Sequence, residues 1–268
     1  MPRSALMNVM VGAALKAGRG LARDFGEVAN LQVSMKGPGD FVSQADLKAE
    51  TALRKELERV RPGYGFLMEE SGDSPGTDPL HRWIVDPLDG TTNFLHSIPI
   101  FAISIALERQ GEIVAGVIYN PVMDELFTAE RGSGAFLNDR RIRVAQRREL
   151  GQSVVTCGIP HQGRGHRGQF VADVTPMMTH TAGVRRTGSA ALDLAWVAAG
   201  RFDAFFERGL SYWDFAAGML IVTEAGGYAT DISGSGSPVK TGNVLASNPE
   251  LHPQLAQALN AAKAPASA

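Results

Sequence analysis

Cysteine is almost missing from this chain. Cys157 stands alone among 268 residues, which excludes an internal disulfide and any cysteine-based metal site and fits a reducing, cytoplasmic setting. The residue itself reads as a small buried apolar group near a strand. Long apolar runs are missing too: nothing approaches the ~18 unbroken apolar residues of a membrane span. The run Leu6 to Leu15 behind Arg3 has a faint likeness to a signal peptide. However, Leu6, Val9, Met10, Ala13, Ala17 and Leu21 recur at helical spacing with Lys16, Arg19 and Arg23 between them, the pattern of an amphipathic surface helix of the mature protein. An excess of either charge is also absent. With 26 Lys and Arg against 28 Asp and Glu the formal charge is -2, so no bulk attraction to nucleic acid or to an anionic membrane is implied. An anionic ligand must then be held by local groups. There is no Walker-type phosphate loop, and Gly132-Ser133-Gly134 lacks the strand-to-helix context of a dinucleotide loop.

What is present is an ordinary globular composition, 44% apolar and 20% charged, in a length that suits one large or two moderate domains. Ser43 is a good N-cap for a helix over Ala45 to Val60, which Arg61-Pro62-Gly63 ends. Tyr64 to Met68 is a short strand that delivers Glu69 and Glu70, with a loop from Ser71 to Pro79 behind it. Phe101 to Leu107, Ile113 to Tyr119 and Glu125 to Ala129 read as antiparallel strands, with a short one near Ile142 to Val144. The basic stretch Gln146-Arg147-Arg148-Glu149 is either a domain boundary or a solvated connection. Beyond it extended segments (Val154 to Cys157, Gly183 to Arg186, Phe202 to Phe206, Tyr228 to Asp231, Val244 to Ala246) alternate with helices (Ser189 to Ala199, Trp213 to Ala225, Pro249 to Lys263), which suggests α/β layering. His161, Arg164, His166 and Arg167 lack a Cys or carboxylate at ligand spacing and read as an exposed loop.

The organising stretch is Trp83 to Phe94. Trp83-Ile84-Val85 is a buried β run that Pro87 is expected to stop, which leaves Asp86 at a strand end. Asp89 stands where the N-cap of a following helical turn belongs, before Gly90-Thr91-Thr92-Asn93. Asp86, Asp89 and the Leu88 carbonyl can then converge as a cradle of hard oxygen ligands suited to Mg²⁺, and the N–H groups of Gly90 and Thr91 suit a phosphate. The same pentapeptide is also plain turn chemistry. Two more acidic positions share its topology: Glu69 ends a strand, and Asp214 opens the helix Trp213-Asp214-Phe215-Ala216-Ala217-Gly218. Taken singly these are a solvated pair member and a first-turn residue that favours the helix dipole. If they converge, each pair ~4 Å apart repels by ~4 kcal/mol at an effective dielectric of ~20, so the cluster requires cations.

Taken together, Asp86-Pro-Leu-Asp89-Gly-Thr91-Thr-Asn-Phe94, Trp213 to Gly218, Thr223-Glu224-Ala225-Gly226-Gly227 and Glu69-Glu70-Ser71 closely resemble the inositol monophosphatase family, above all its bacterial members, from about Lys36 to about Asn248. The resemblance implies a layered αβαβα sandwich of the inositol monophosphatase and fructose-1,6-bisphosphatase type. It also implies a Mg²⁺-dependent, lithium-sensitive phosphomonoesterase, usually a homodimer, acting on a small phosphorylated polyol. Carried over by motif, Glu69, Asp86 and the Leu88 carbonyl would hold one Mg²⁺, Asp86, Asp89 and Asp214 a second, and Glu69 with waters a weaker third. Thr91 would orient the attacking water with Asp46 behind it, since Asp40-Phe-Val-Ser-Gln-Ala-Asp46 matches the family segment. Gly90 and Thr91 would hold phosphate, and Glu207 with Ser189 and Ala190 the polyol hydroxyls. On this reading residues 1–145 form an N-terminal α+β unit with most metal ligands, and residues 146–268 a C-terminal α/β unit that supplies Asp214 and the substrate contacts. Met68 and Phe41 depart from the family pattern beside metal ligands. Family members also act on 3′-phosphoadenosine phosphate, fructose bisphosphate and histidinol phosphate, and Asn93 favours the inositol branch. A regulatory binding protein on the same fold is the alternative of another class.

Overall fold

The computed structural model describes residues 3–27, 33–37, 40–160 and 166–262. Of the stretches singled out above, Pro38, Gly39, Lys263 and residues 161–165 lie outside the described residues, as does the side chain of Phe41. The amphipathic pattern near the N-terminus is realised as helix α1 (Ala5–Phe25), capped by Ser4, whose hydroxyl accepts from the Met7 N–H at 3.0 Å. Strands β1 (Val33–Gly37) and β2 (Asp40–Ser43) form a hairpin that runs into α2 (Gln44–Val60). At that junction Ser43 and Asp46 close a reciprocal capping box.

An eight-stranded sheet follows, built from β3 (Tyr64–Met68), β4 (Gly72–Ser74), β5 (Asp78–Asp89), β6 (Ala102–Arg109), β7 (Glu112–Asn120), β8 (Glu125–Glu130), β9 (Gly134–Leu137) and β10 (Arg140–Arg141), with the short helix α3 (Thr91–Leu95) between β5 and β6. The spatial order is β10-β9-β8-β7-β6-β5-β3-β4, antiparallel throughout except for the pair β3 and β5. Two expectations fail here. The loop Ser71 to Pro79 contains β4, and residues 142–144 are not a strand because their bonds go to separate elements, Ile142 N–H to Ala135 O and Val144 N–H to Ala225 O.

The second sheet has five strands, β11 (Val154–Cys157), β12 (Gly183–Arg185), β13 (Ala204–Glu207), β14 (Tyr228–Asp231) and β15 (Val244–Ser247), in the order β12-β11-β13-β15-β14. Its connections carry α4 (Arg167–His180), α5 (Ala190–Ala198) and α6 (Tyr212–Glu224), and α7 (His252–Ala261) follows β15. Helix α4 has no counterpart in the sequence reading. Pro176 sits inside it and apolar residues face both ways, Met177 buried and Val171 and Met178 exposed, so no single stripe marks it.

Strand alternation sorts the core into three layers. Trp83, Val85, Ile103 and Ile105 point from the first sheet onto α1 and α2, while Ile84, Ala106 and Ile118 point the other way onto α5 and α6. Those two helices are apolar all round, as their place between two sheets demands, and their far side meets Phe205, Val244 and Ala246 of the second sheet. Val155, Ala204, Phe206 and Leu245 then face α4 and α7. The result is the expected αβαβα sandwich. Each fully buried side chain of this size contributes about 1.5–3 kcal/mol. The ends of β5 and β13 and the starts of α3, α5 and α6 consequently open at one cleft.

Candidate active site

Parallel pairing of β3 with β5 places Met68 beside Val85, so the residues that follow, Glu69 and Asp86, leave the sheet side by side, and the Glu69 N–H bonds to Val85 O at 3.1 Å. Strand β5 does not stop at Pro87 as its sequence suggests. It continues to Asp89 with a slip in its pairing to β6 between Asp86 and Asp89, which absorbs the missing proline N–H and turns the chain toward the cleft. Asp86 is buried and accepts from the Leu88 N–H at 2.9 Å. Gly90 follows at φ +94°, where a Cβ would lie 2.9 Å from Ile100 O and 3.2 Å from Gly188 O, so both its conformation and its surroundings demand glycine.

Asp89 is not the cap of its own helix. Gly90 takes that position without a side-chain bond, and Asp89 Oδ2 instead accepts from the Ser189 hydroxyl at 2.6 Å and the Ala191 N–H at 2.7 Å. It thus joins Ser189 in satisfying the start of α5, one hundred residues away in sequence, where its charge meets the positive end of the helix dipole. Asp214 in turn closes a capping box at α6, accepting from the Ser211 N–H at 2.7 Å. Thr91 Oγ1 lies 3.2 Å from Asp46 Oδ1 and 3.1 Å from Leu88 O, and Asp46 Oδ2 accepts from Ser43 N–H at 2.8 Å and Ser43 Oγ at 2.5 Å.

One cavity of about 180 Å³ is lined by Glu69, Asp86, Leu88, Asp89, Gly90, Thr91, Ser189, Ala190, Glu207 and Asp214; Asp46 stands behind Thr91. Sequence reasoning missed several further lining residues, among them Gly158, Arg186 and Asp193. Asp193 is buried in the first turn of α5 and accepts from Thr187 Oγ1 at 2.6 Å. A first-turn acid six residues beyond a threonine was its only sequence signal. Asn93 is buried and donates to Ile100 O at 2.7 Å and to Thr187 O at 2.8 Å, so it ties the turn at Gly90 to the approach to α5 and does not line the cavity.

Burial dominates the electrostatics. It pushes Asp89 up to about 6, against the lowering bonds from Ser189 and Ala191, and Asp193 up to about 8. Asp86 is raised well above the usual carboxylate range by burial first, then by the charges of Glu69, Asp89 and Asp214. The carboxylates share a cavity without converging: among the described residues no three acidic, His or Cys side chains stand close enough to hold an ion as placed. Their oxygens are partly committed to Leu88 N–H, to Ser189 and Ala191, and to Ser211 N–H. An all-oxygen set of acidic side chains around one cavity fits a hard divalent cation.

A stability test follows from these shifts. An aspartate whose folded value exceeds its unfolded ~3.9 contributes stability that is complete below ~3.9 and lost as pH rises through the folded value, by up to ~1.4 kcal/mol per pH unit. Asp193, raised to about 8, keeps that slope above pH ~6.5, and the raised Asp86 contributes in the same direction. His252, buried and therefore lowered, acts in the opposite sense only below its unfolded ~6.5. Chelated protein should therefore lose several degrees of melting temperature between pH 6.5 and 8, chiefly through Asp193. A chelated melting temperature that rises over this window would contradict the assignment.

The fold and this acidic, phosphate-sized cleft are those of a phosphatase. Residues 3–264 match the inositol monophosphatase family, and the chain belongs to it. An inositol-1-monophosphatase of Mesorhizobium japonicum is 63% identical over 268 residues, all of both chains. The Nus factor SuhB of Escherichia coli is 43% identical over 92% of each chain. The solved extragenic suppressor protein suhB of Bartonella henselae superposes with a TM-score of 0.94 at 58% identity, covering 97% of this chain and all of that one.

Proposed function

We propose that this phosphatase hydrolyses myo-inositol 1-phosphate to myo-inositol and phosphate, with Mg²⁺ held by Glu69, Asp86, the Leu88 carbonyl, Asp89 and Asp214. The observation that carries the reading is that the ends of β3, β5 and β13 and the starts of α3 and α6 place these oxygens, Thr91 and Glu207 around one cavity. Two to three bound Mg²⁺ would lower the pKa of water and neutralise developing charge at phosphorus. The chain's own residues do the rest. Thr91 Oγ1 orients the attacking water and passes its proton toward Asp46, whose carboxyl is raised by burial and so suits a proton acceptor. Gly90 and Thr91 N–H groups face the phosphate oxygens, and Glu207, with the backbone at Ser189 and Ala190, reads the polyol hydroxyls. Glu69 would help hold the metal and its waters. No phosphoenzyme is formed.

The same reading keeps two units, divided near residue 145: the first sheet lies wholly before that point and the second wholly after it. It takes the protein as a cytoplasmic, lithium-sensitive homodimer without nucleic-acid or membrane partners. Among the described residues no helix is long and apolar enough to cross a membrane. A purely regulatory protein would not need the full acidic set, and every member of it lines the cavity.

A panel of esters tests the substrate. Phosphate release from myo-inositol 1-phosphate should exceed that from fructose 1,6-bisphosphate, histidinol phosphate and 3′-phosphoadenosine phosphate in kcat/KM, and a different order would reassign the substrate. Within that panel, Glu207→Ala should reduce kcat/KM for myo-inositol 1-phosphate by roughly 10 to 150-fold relative to glycerol 2-phosphate. The range corresponds to one lost charge-assisted bond of roughly 1.5–3 kcal/mol. Equal losses on both esters would make Glu207 a support of the metal site instead.

A further inference from the structure

Strand β11 runs parallel to β13 with Cys157 paired to Phe206, so the next step along both strands sets Gly158 beside Glu207. By alternation these two positions share the face of Thr156 and Phe205, which is the face turned to α5 and the cleft. The Glu207 side chain does not stand straight out from its strand. It folds across the neighbouring one, and a Cβ on residue 158 would lie 2.0 Å from its Cδ and Oε2 and 2.1 Å from its Oε1. No side chain at 158 is compatible with the carboxylate in that place. The obstruction is one-sided, because only the far end of a flexible side chain is in the way, and Gly158 is not among the glycines with positive φ. Alanine therefore suits the backbone at 158 and conflicts only with where Glu207 points.

We propose that Gly158 is a positioning residue for substrate selection: the empty space above its Cα fixes the Glu207 carboxylate at the rim of the catalytic cavity. The proposal rests on the substrate role given to Glu207 above. Gly158 and Glu207 also line an adjoining cavity of about 320 Å³ that reaches Phe170, Asp173 and Arg208. A carboxylate displaced from above Gly158 has room to swing into that cavity. The change therefore costs aim and leaves the fold intact. Residue 158 thus sets which hydroxyls Glu207 can reach, although it offers no polar side chain of its own.

The test is the ratio of kcat/KM for myo-inositol 1-phosphate to that for glycerol 2-phosphate in the Mg²⁺-loaded full chain. A purely structural loss lowers both values and leaves the ratio alone. Gly158→Ala should lower the ratio at least tenfold, mainly through KM for the inositol ester, and Glu207→Ala should lower it to a similar level. The double variant should fall no further than Glu207→Ala alone, since both changes remove one interaction. The inference is overturned if Gly158→Ala keeps the ratio, if its loss adds to that of Glu207→Ala, or if the variant fails to fold. A Glu207→Ala chain that keeps its ratio would instead remove the substrate role of Glu207, and this inference with it.

Discussion

Asp89→Asn is expected to lower kcat about 10³-fold on every substrate, in line with the loss of one preorganised charge at a phosphoryl-transfer centre. The fold should survive. Asp89 Oδ2 caps α5 by accepting from Ser189 Oγ and Ala191 N–H, and a neutral amide oxygen can accept the same two bonds. What asparagine cannot supply is the negative charge facing the cavity that also holds Asp86 and Asp214. Removing that charge also relieves Asp86, because Asp89 is one of the neighbours that raise it. Metal-free Asp89→Asn should accordingly melt at or above the temperature of the metal-free parent while its turnover collapses. Turnover near that of the parent would place the catalytic charge elsewhere. A large drop in melting temperature would mean that the cap on α5 depends on the charge itself.

The second large effect is metal removal. In excess chelator, phosphate release should fall to the uncatalysed background, and Mg²⁺ should restore it. The reason is on the protein side: Glu69, Asp86, Asp89 and Asp214 line a cavity whose one cationic side chain among the described residues is Arg186, and substrate would bring a further dianion into it. Four carboxylates and a phosphate cannot share a site of this size without cations. The same addition should raise the melting temperature, by about 2.7 kcal/mol of stability when free Mg²⁺ is a hundredfold above its dissociation constant. Millimolar Li⁺ added at saturating Mg²⁺ should inhibit, more strongly as substrate rises, if the smaller charge traps a phosphate-bound state beside Asp89 and Asp214. Phosphate release that persists in chelator would end the metal-dependent reading, whereas insensitivity to Li⁺ would leave that reading intact and set this chain apart on inhibition alone.

Much of this was legible in the sequence because it is written locally. The 3.6-residue stripe of α1, the Ser43 start of α2, the alternation of β6 and β7 and the clustered signature at Asp86 to Phe94 each lie within a dozen or two neighbouring residues. Local chemistry decides such features, whatever they later pack against. The motifs also carried the carboxylates to be gathered, and the structure places Glu69, Asp86, Asp89 and Asp214 around one cavity. Local rules misled where a distant partner supplied a stronger interaction. Asp89 reads as the cap of α3, yet α5 offers unsatisfied N–H groups in a buried setting, and only tertiary packing brings them within 2.7 Å. Pro87 reads as a strand stop, yet β6 continues alongside and the ladder slips around it. Helix α4 carried no stripe, because its apolar residues face both ways.

The sequence by itself therefore determined most of the individual elements and the acidic set, since periodicity, caps and side-chain charge are properties of neighbouring residues, while the αβαβα layering and the phosphatase chemistry were implied by the family resemblance. Only the tertiary structure decided where each carboxylate spends its oxygens, how far burial raises Asp86, Asp89 and Asp193, and that Glu207 lies over a bare glycine. Those depend on which strand ends meet across the sheets, and hydrogen bonds and desolvation act between atoms close in space however far apart they are in sequence.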